Sequence, residues 1–434
     1  MAKRRTMVGL VGALLLVWTA CGSEEPAQAP APAAPESAAE APAPEPAEPD
    51  ELPRGLVLSL AQFVTVAGKP EPGPGRLEFL YRHKGAWRTS AIEDTDSNVF
   101  HKAMAYGEGD DAVLLTLGGT KALVKTWEKE GSALEPTVHW EKDFGGKFSR
   151  MRDAEVADLY GDGDQAIAVA THDQGVVAVM RPSPDGFSVV ELDTEPDTFV
   201  HEIEVGDVNG DGQLEVYATP SEPNRLEGGE SQKGAVVRYV PVAGEKRVVV
   251  ADLGDRHAKE ILVEDVDGDG TDELYVSVEG HVGELKELVH PVEIRRYDAD
   301  TPADGGAVIA TLKDRLTRFL TAGDIDGDGK KEMVAATFSA GLWLLRPGVD
   351  PRGEWSATLI DKNSAGFEHA SILADLDEDG RDELYVASDK HKEVRRYVWK
   401  DGKFEREVIY KRPDNRPIFT WNLMPVPTSL IPGA

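Results

Sequence analysis

The sequence predicts an all-β fold: a seven-bladed β-propeller over residues 54–434, closed by pairing of its C-terminal strand with its N-terminal blade. Three observations predict it. An acidic nonapeptide recurs with a period of 49 to 59 residues, and each copy is followed by a strand-like run and then a second hairpin. A spare strand, Ile418-Phe-Thr-Trp-Asn-Leu-Met-Pro-Val426, stands alone at the C-terminus. Repeats of this length mark a solenoid, a propeller or an array.

Four nonapeptides are complete: Asp207 to Glu215, Asp265 to Glu273, Asp324 to Glu332 and Asp375 to Glu383. A fifth, Asp158 to Ala166, has lost two oxygen-bearing positions, and a sixth, around Tyr106 to Asp110, is more degraded. Period-2 alternation places second hairpins at Leu77, Ala122, Val176, Ala235, Val292, Gly341 and Glu393, which makes seven. The first of these has only the strand-like run 56–66 before it, so the spare C-terminal strand completes a seventh four-stranded unit. Residues 54–434 divided by seven give about 54 per unit, the size of a four-stranded blade. Pairing the two ends also removes exposed sheet edges, which favours a closed ring over an open solenoid.

Residues 1–20 read as a lipoprotein signal peptide: Lys3, Arg4 and Arg5, an apolar run from Met7 to Trp18, then Thr19 and Ala20. The one cysteine of the chain, Cys21, follows directly. Small residue then cysteine resembles the bacterial lipobox, which implies acylation of Cys21. Gly22 after it implies an outer-membrane destination in the cell envelope. Residues 22–53 hold 10 Ala, 9 Pro and 7 Glu, a composition that builds no core, so 21–53 reads as an acylated cysteine and a disordered linker.

The net charge of −31 excludes an electrostatically driven nucleic-acid binder. Removing the leader's three basic residues leaves −34, and setting aside the linker's eight acids leaves −26 on 54–434. With a single cysteine, neither a disulfide framework nor a cysteine-based zinc site can form.

Positions 1, 3, 5 and 9 of each complete nonapeptide carry side-chain oxygens, position 7 is expected to add a backbone carbonyl, and the glycine at position 6 permits a sharp turn. Hard oxygen ligands in that number suit calcium. Without a cation the crowded carboxylates would repel one another. Apolar residues such as Val276 and Val386 at the twelfth position, and strand-like flanks, exclude an EF-hand. The repeated Asp-x-Asp/Asn-x-Asp-Gly-x-x-Glu motif with its apolar strand resembles the FG-GAP/VCBS repeats of integrin-α-like propellers and bacterial surface proteins. That resemblance implies about four structural calcium sites, with Asp207, Asn209, Asp211 and Glu215; Asp265, Asp267, Asp269 and Glu273; Asp324, Asp326, Asp328 and Glu332; and Asp375, Asp377, Asp379 and Glu383 as ligands. The Phe-Gly and Gly-Ala-Pro pieces of the integrin repeat are not legible, so integrin ligand chemistry is not carried over.

The same resemblance puts the acidic loops on one face and the starts of the inner strands on the other. Six residues before each complete loop stand His201, Lys259, Arg318 and His369; Arg152 shares that register, His101 opens the corresponding strand of an earlier blade, and Arg416 could supply a seventh. Such a ring either focuses charge on an anionic ligand or pairs with neighbouring acids such as Asp153, Glu202 and Glu260. The connections 219–234 and 279–292 and the turn Thr171-His172-Asp173 are expected on this face. The preferred reading is a non-enzymatic, calcium-stabilised module that binds an envelope glycan or protein, held to the membrane by its lipid alone. Its competitors are a lyase or hydrolase of an acidic glycan working at this mouth, and a pure scaffold. No Ser/His/Asp arrangement or retaining-type carboxylate pair is identifiable apart from the calcium loops.

Overall fold

The computed structural model describes residues 49–434 except 147, 197, 224–232, 245 and 414–416. The leader, Cys21, the linker up to residue 48 and Arg416 lie outside the described residues. No helix among the described residues is long and apolar enough to cross a membrane.

Seven antiparallel sheets follow one another as blades. Blade 1 joins Ile418–Pro427 to Arg54–Val66, Gly75–His83 and Ala86–Asp94, and a short strand, Lys69–Pro72, folds back on it. The inner strands of blades 2 to 7 are Phe100–Tyr106, Met151–Ala157, Thr198–Gly206, Ala258–Glu264, Thr317–Gly323 and Ser371–Ala374. Blade 1 is therefore completed from both chain ends, in the register Arg54↔Pro427 to Gln62↔Ile418 with one bulge at Ser59/Leu60. The 279–292 connection carries a small ribbon of its own, His281–Val282 against Leu288–His290.

The second strands do not alternate between core and solvent. Ala166–Thr171, Glu273–Val278, Glu332–Thr337 and Glu383–Ser388 are buried at every position, because each blade packs another on both faces. The apolar core is accordingly a ring of clusters between consecutive blades. One such cluster joins blades 3 and 4 around Val179 and Val216, and another joins blades 6, 7 and 1 around Leu344, Tyr385 and Leu58. The fourth strands, such as Ser356–Asp361, are largely exposed.

Position 8 of four acidic loops ties its blade to the one before it. Asp272 Oδ2 accepts the backbone N–H of Asp207 at 2.8 Å, and Asp382 Oδ2 accepts that of Asp324 at 2.9 Å. Lys331 reaches Glu264, and Gln165 Oε1 accepts Gly107 N–H at 3.2 Å. The approach explains Gly206 and Gly323: a Cβ there would lie 2.8 and 2.5 Å from the Asp272 and Asp382 carboxylates.

Candidate functional site

The inner strands run from the mouth of the central channel to the acidic loops. Six residues at about 3.3 Å each separate His201 from Asp207, so the two candidate sites lie roughly 20 Å apart.

In each acidic loop the first aspartate accepts backbone N–H groups from positions 5 and 6. Asp265 takes Asp269 at 3.1 Å and Gly270 at 2.9 Å; Asp324 takes Asp328 at 3.1 Å and Gly329 at 2.8 Å. Asp207 and Asp375 repeat the pattern with Asp211 and Gly212, and with Asp379 and Gly380. The turn wraps around one carboxylate and brings the others toward it. Asp265, Asp267, Asp269 and Glu273 each offer an oxygen within 4.8 Å of the rest, as do Asp324, Asp326 and Glu332, and Asp375, Asp377 and Asp379. Such oxygen-only sets fit a hard cation. Asp328 and Glu383 stand outside these groups, and the carboxylates of the 207–215 loop are not gathered in this way. There Asn209 Nδ2 donates to Glu215 Oε1.

An arginine absent from the sequence-based ligand sets meets each ninth-position glutamate. Arg238 lies 3.1 Å from Glu215, Arg296 3.0 Å from Glu273, Arg346 3.0 Å from Glu332 and Arg396 2.7 Å from Glu383. Tyr217, Tyr275 and Tyr385 donate to the same carboxylates at 2.7 to 2.9 Å. The Arg-Tyr pairs at 238–239, 296–297 and 396–397 were the available signal. In the degenerate loop Asp158 keeps both backbone bonds, to Asp162 and Gly163, but Tyr160 and Ala166 replace two ligands. The Arg181 guanidinium pairs with Asp162 and lies 4.5 Å over the Tyr160 ring, so the chain supplies that loop with its own cation.

At the other end, five of the six ring residues converge. Arg152 donates from Nε to the His201 carbonyl at 2.9 Å, lies 4.0 Å from Glu202 and stacks 5.5 Å over Trp421. Lys259 lies 3.5 Å from Glu279, and Arg318 pairs with Glu368 and stacks 5.6 Å over Phe367. His101 bonds the Met151 carbonyl through Nδ1 and meets Trp421 edge-on at 4.9 Å. His201 contacts His172 at 5.2 Å and Phe199 at 5.6 Å, while its buried Nε2 has no hydrogen-bond partner among the described residues. Burial first, and then neighbouring cations and His172, hold His101 and His201 well below the usual imidazole range, so both are neutral at pH 7.

His369 departs from the expectation. It is fully buried, with Nδ1 2.7 Å from the Thr337 carbonyl and Nε2 2.7 Å from Ser364 Oγ, and burial pushes its pKa down to about 4. The chain turns through 364–369, where His369 itself has φ +57°, before the short inner strand Ser371–Ala374 begins. The six-residue register is lost there, and Phe367 and Glu368 reach the ring cation Arg318 instead. The ring cations are thus not bare, since each has a carboxylate close by. The aromatic faces of Trp421, Phe199 and Phe367 went unrecognised in the sequence, because nothing in an isolated strand says which of its side chains look down the axis.

Below the mouth, Lys102 lies among four acids of the next two inner strands, Asp153, Glu155, Glu202 and Glu204. Its Nζ is 2.9 Å from Asp153 Oδ1 and also meets Glu155; burial pulls its pKa down, but the carboxylates outweigh this and raise it. Asp153 accepts Ile203 N–H at 3.0 Å, and Glu260 accepts Leu320 N–H at 2.8 Å. Burial raises Glu202 and Glu204 well above the carboxylate range and pushes Glu260 up to about 8. Between pH 5 and 8 folded Glu260 therefore keeps a proton that the unfolded chain has released, and its contribution to stability falls as pH rises. Glu260→Gln should remove this, raising the unfolding midpoint at pH 8 relative to that at pH 5 by on the order of 5 °C compared with wild type. Identical pH profiles for the two proteins in a calorimetric scan would contradict it.

A ring of blades with cation-type loops at one end and a charged, aromatic mouth at the other defines the class: a seven-bladed β-propeller built on acidic-loop repeats. Residues 324–386, from the loop beginning at Asp324 into the second strand of blade 7, match the FG-GAP-like repeat family model. No curated protein matches the chain. Among solved structures, a Lactobacillus plantarum protein is similar with a TM-score of 0.52 at 13% identity, over 86% of this chain and 99% of its own. A Bacteroides fragilis protein taken to be a 6-phosphogluconolactonase is similar with a TM-score of 0.50 at 13% identity, over 88% of this chain and all of its own. These likenesses show the fold alone.

Proposed function

We propose that this chain is a calcium-stabilised binding propeller, tethered at the cell envelope, whose channel mouth holds a glycan. The observation that carries the reading is the interleaving of aromatic faces with ion pairs at one mouth: Trp421 under Arg152 and Phe367 under Arg318, with Glu202 and Glu368 beside the cations. Sugar rings present apolar C–H faces to aromatic rings, and their hydroxyls bond planar guanidinium and carboxylate groups. The pairing of each ring cation with an acid supports a ligand rich in hydroxyls, with or without a carboxylate. Binding of calcium-loaded protein to an array of envelope glycans tests this. Trp421→Ala and Arg318→Ala should each weaken a positive glycan at least about tenfold, the scale of an interface anchor. Unchanged binding by both variants would move the ligand to another surface, including a protein partner at the blade edges.

The tether is the second part of the proposal. Acylation at Cys21 would anchor the propeller to an outer membrane through lipid alone. Cys21→Ala should abolish palmitate labelling and release the protein to the soluble fraction; labelling equal to wild type would defeat it.

An enzymatic reading has one specific observation behind it. The unpartnered Nε2 of neutral His201 stands at the mouth, and burial shifts Glu202 on the same strand toward its protonated form, so a candidate base and acid adjoin the proposed glycan site. Product release from acidic polysaccharides, lost in His201→Gln, would favour a lyase or hydrolase over a binder.

A further inference from the structure

Beside the mouth, between blades 6, 7 and 1, a cavity of about 480 Å³ opens on the same face. Its volume falls within the range of small-molecule sites. Its walls are Phe338, Phe367, Phe419 and Ile418. The three phenylalanines meet edge-on, Phe338 to Phe367 at 6.5 Å and Phe367 to Phe419 at 5.7 Å. Phe367 is left 50% exposed, although its neighbours Gly366 and Glu368 are buried.

The polar groups at the base ask for nothing. Asp389 and Arg412 pair at 3.3 Å; Arg412 also bonds Glu78 and Thr420, both at 2.9 Å, and Thr420 N–H donates to Asp389 at 3.0 Å. A ligand seated against this network gains from apolar contact and finds no unmet hydrogen bond within it, while Lys390 and Lys392 complete the lining. Unmet polar atoms sit on the mouth side of Phe367 instead. Glu368 is fully buried and its Oε1 has no hydrogen-bond partner among the described residues; the same holds for buried Arg318 Nε and Trp421 Nε1. Trp421 lies 6.5 Å from Phe367, so Phe367 forms the partition between an apolar chamber and a polar rim that lacks acceptors and donors.

From this division we infer that the ligand is amphipathic: a saccharide whose polar ring meets Glu368, Arg318 and Trp421 and whose alkyl or acyl substituent fills the phenylalanine-walled cavity. The polar half of this inference rests on the glycan reading of the mouth; the apolar half does not. The substituent would enter past Phe367, which turns one face toward each half of the ligand.

Calorimetric titration of the calcium-loaded protein with paired methyl and n-octyl glycosides of several hexoses, below micelle-forming concentrations, tests it. For at least one sugar the octyl glycoside should bind at least about tenfold more tightly than its methyl partner, the gain from burying roughly two methylene groups. Its binding should carry a more negative heat-capacity change, a signature read on the unaltered protein. Phe338→Ala, on the wall away from the mouth, should cut the octyl advantage below about threefold. Equal affinities and heat capacities for octyl and methyl partners, including no binding by either, would overturn the cavity assignment, as would an octyl advantage that survives Phe338→Ala. Octyl binding that depends on Phe338 while no methyl glycoside binds would leave the cavity standing and count against the glycan reading of the mouth.

Discussion

Removal of residues 418–434 will leave a chain that is less stable than the full-length protein and self-associates more readily. Those residues supply the inner strand of blade 1 and bury Leu423, Val426, Leu430 and Ile431 almost completely. At about 1.5–3 kcal/mol for each large apolar side chain, their loss costs about 6–12 kcal/mol, comparable with the whole stability of an ordinary domain. Thr420 also leaves Arg412 and Asp389, and the segment takes with it the bonds from Tyr81 Oη to the Gly433 carbonyl and from Lys129 Nζ to the Ile431 carbonyl. Arg54–Val66 becomes an open edge, a template for pairing with another molecule. Light scattering with a thermal scan measures both consequences. A truncated monomer with an unchanged midpoint would mean that the ring does not depend on this strand.

Chelation of calcium from the intact protein should lower the unfolding midpoint by on the order of 10 °C. A site held at a hundredfold excess over its dissociation constant contributes about 2.7 kcal/mol, and the three loops that gather their carboxylates contribute on the order of 8 kcal/mol in a chain of this size. The mechanism is repulsion: where a loop brings three or four carboxylates within 4.8 Å of one another, the arginines paired with the ninth-position glutamates, such as Arg296 and Arg346, neutralise only part of that charge without a cation. Readdition of calcium should restore the midpoint, and Asp375→Ala should lower the bound stoichiometry by one. Asp162→Ala should not alter it, because Arg181 already neutralises that loop. A midpoint indifferent to chelator would make the loops polar turns that hold their shape through backbone bonds alone.

Much of this molecule is legible in one dimension. Turn chemistry is local: Asp-x-Asp-Gly-Asp-Gly closes on its own backbone N–H groups, so the loops at Asp265 and Asp324 can be recognised from their residues, and their spacing counts the blades. Closure was legible as well, since a strand left over at 418–426 and a strand missing before Leu77 answer each other. Register toward the axis was legible only where the inner strand is regular. It holds for Arg152, His201, Lys259 and Arg318, and it fails at His369, where the turn through 364–369 buries the imidazole against Thr337 and Ser364.

By itself, then, the sequence determined the repeat, the number of blades, the acidic loops and the closing strand, because each depends on contacts between residues near in sequence or on counting. Only the tertiary structure decided which groups face one another across the axis. Glu368 beneath Arg318, Arg152 over Trp421, four acids around Lys102 and the phenylalanine cavity beside Arg412 all join residues of different blades. Their proximity follows from how the ring closes, and no local periodicity encodes it.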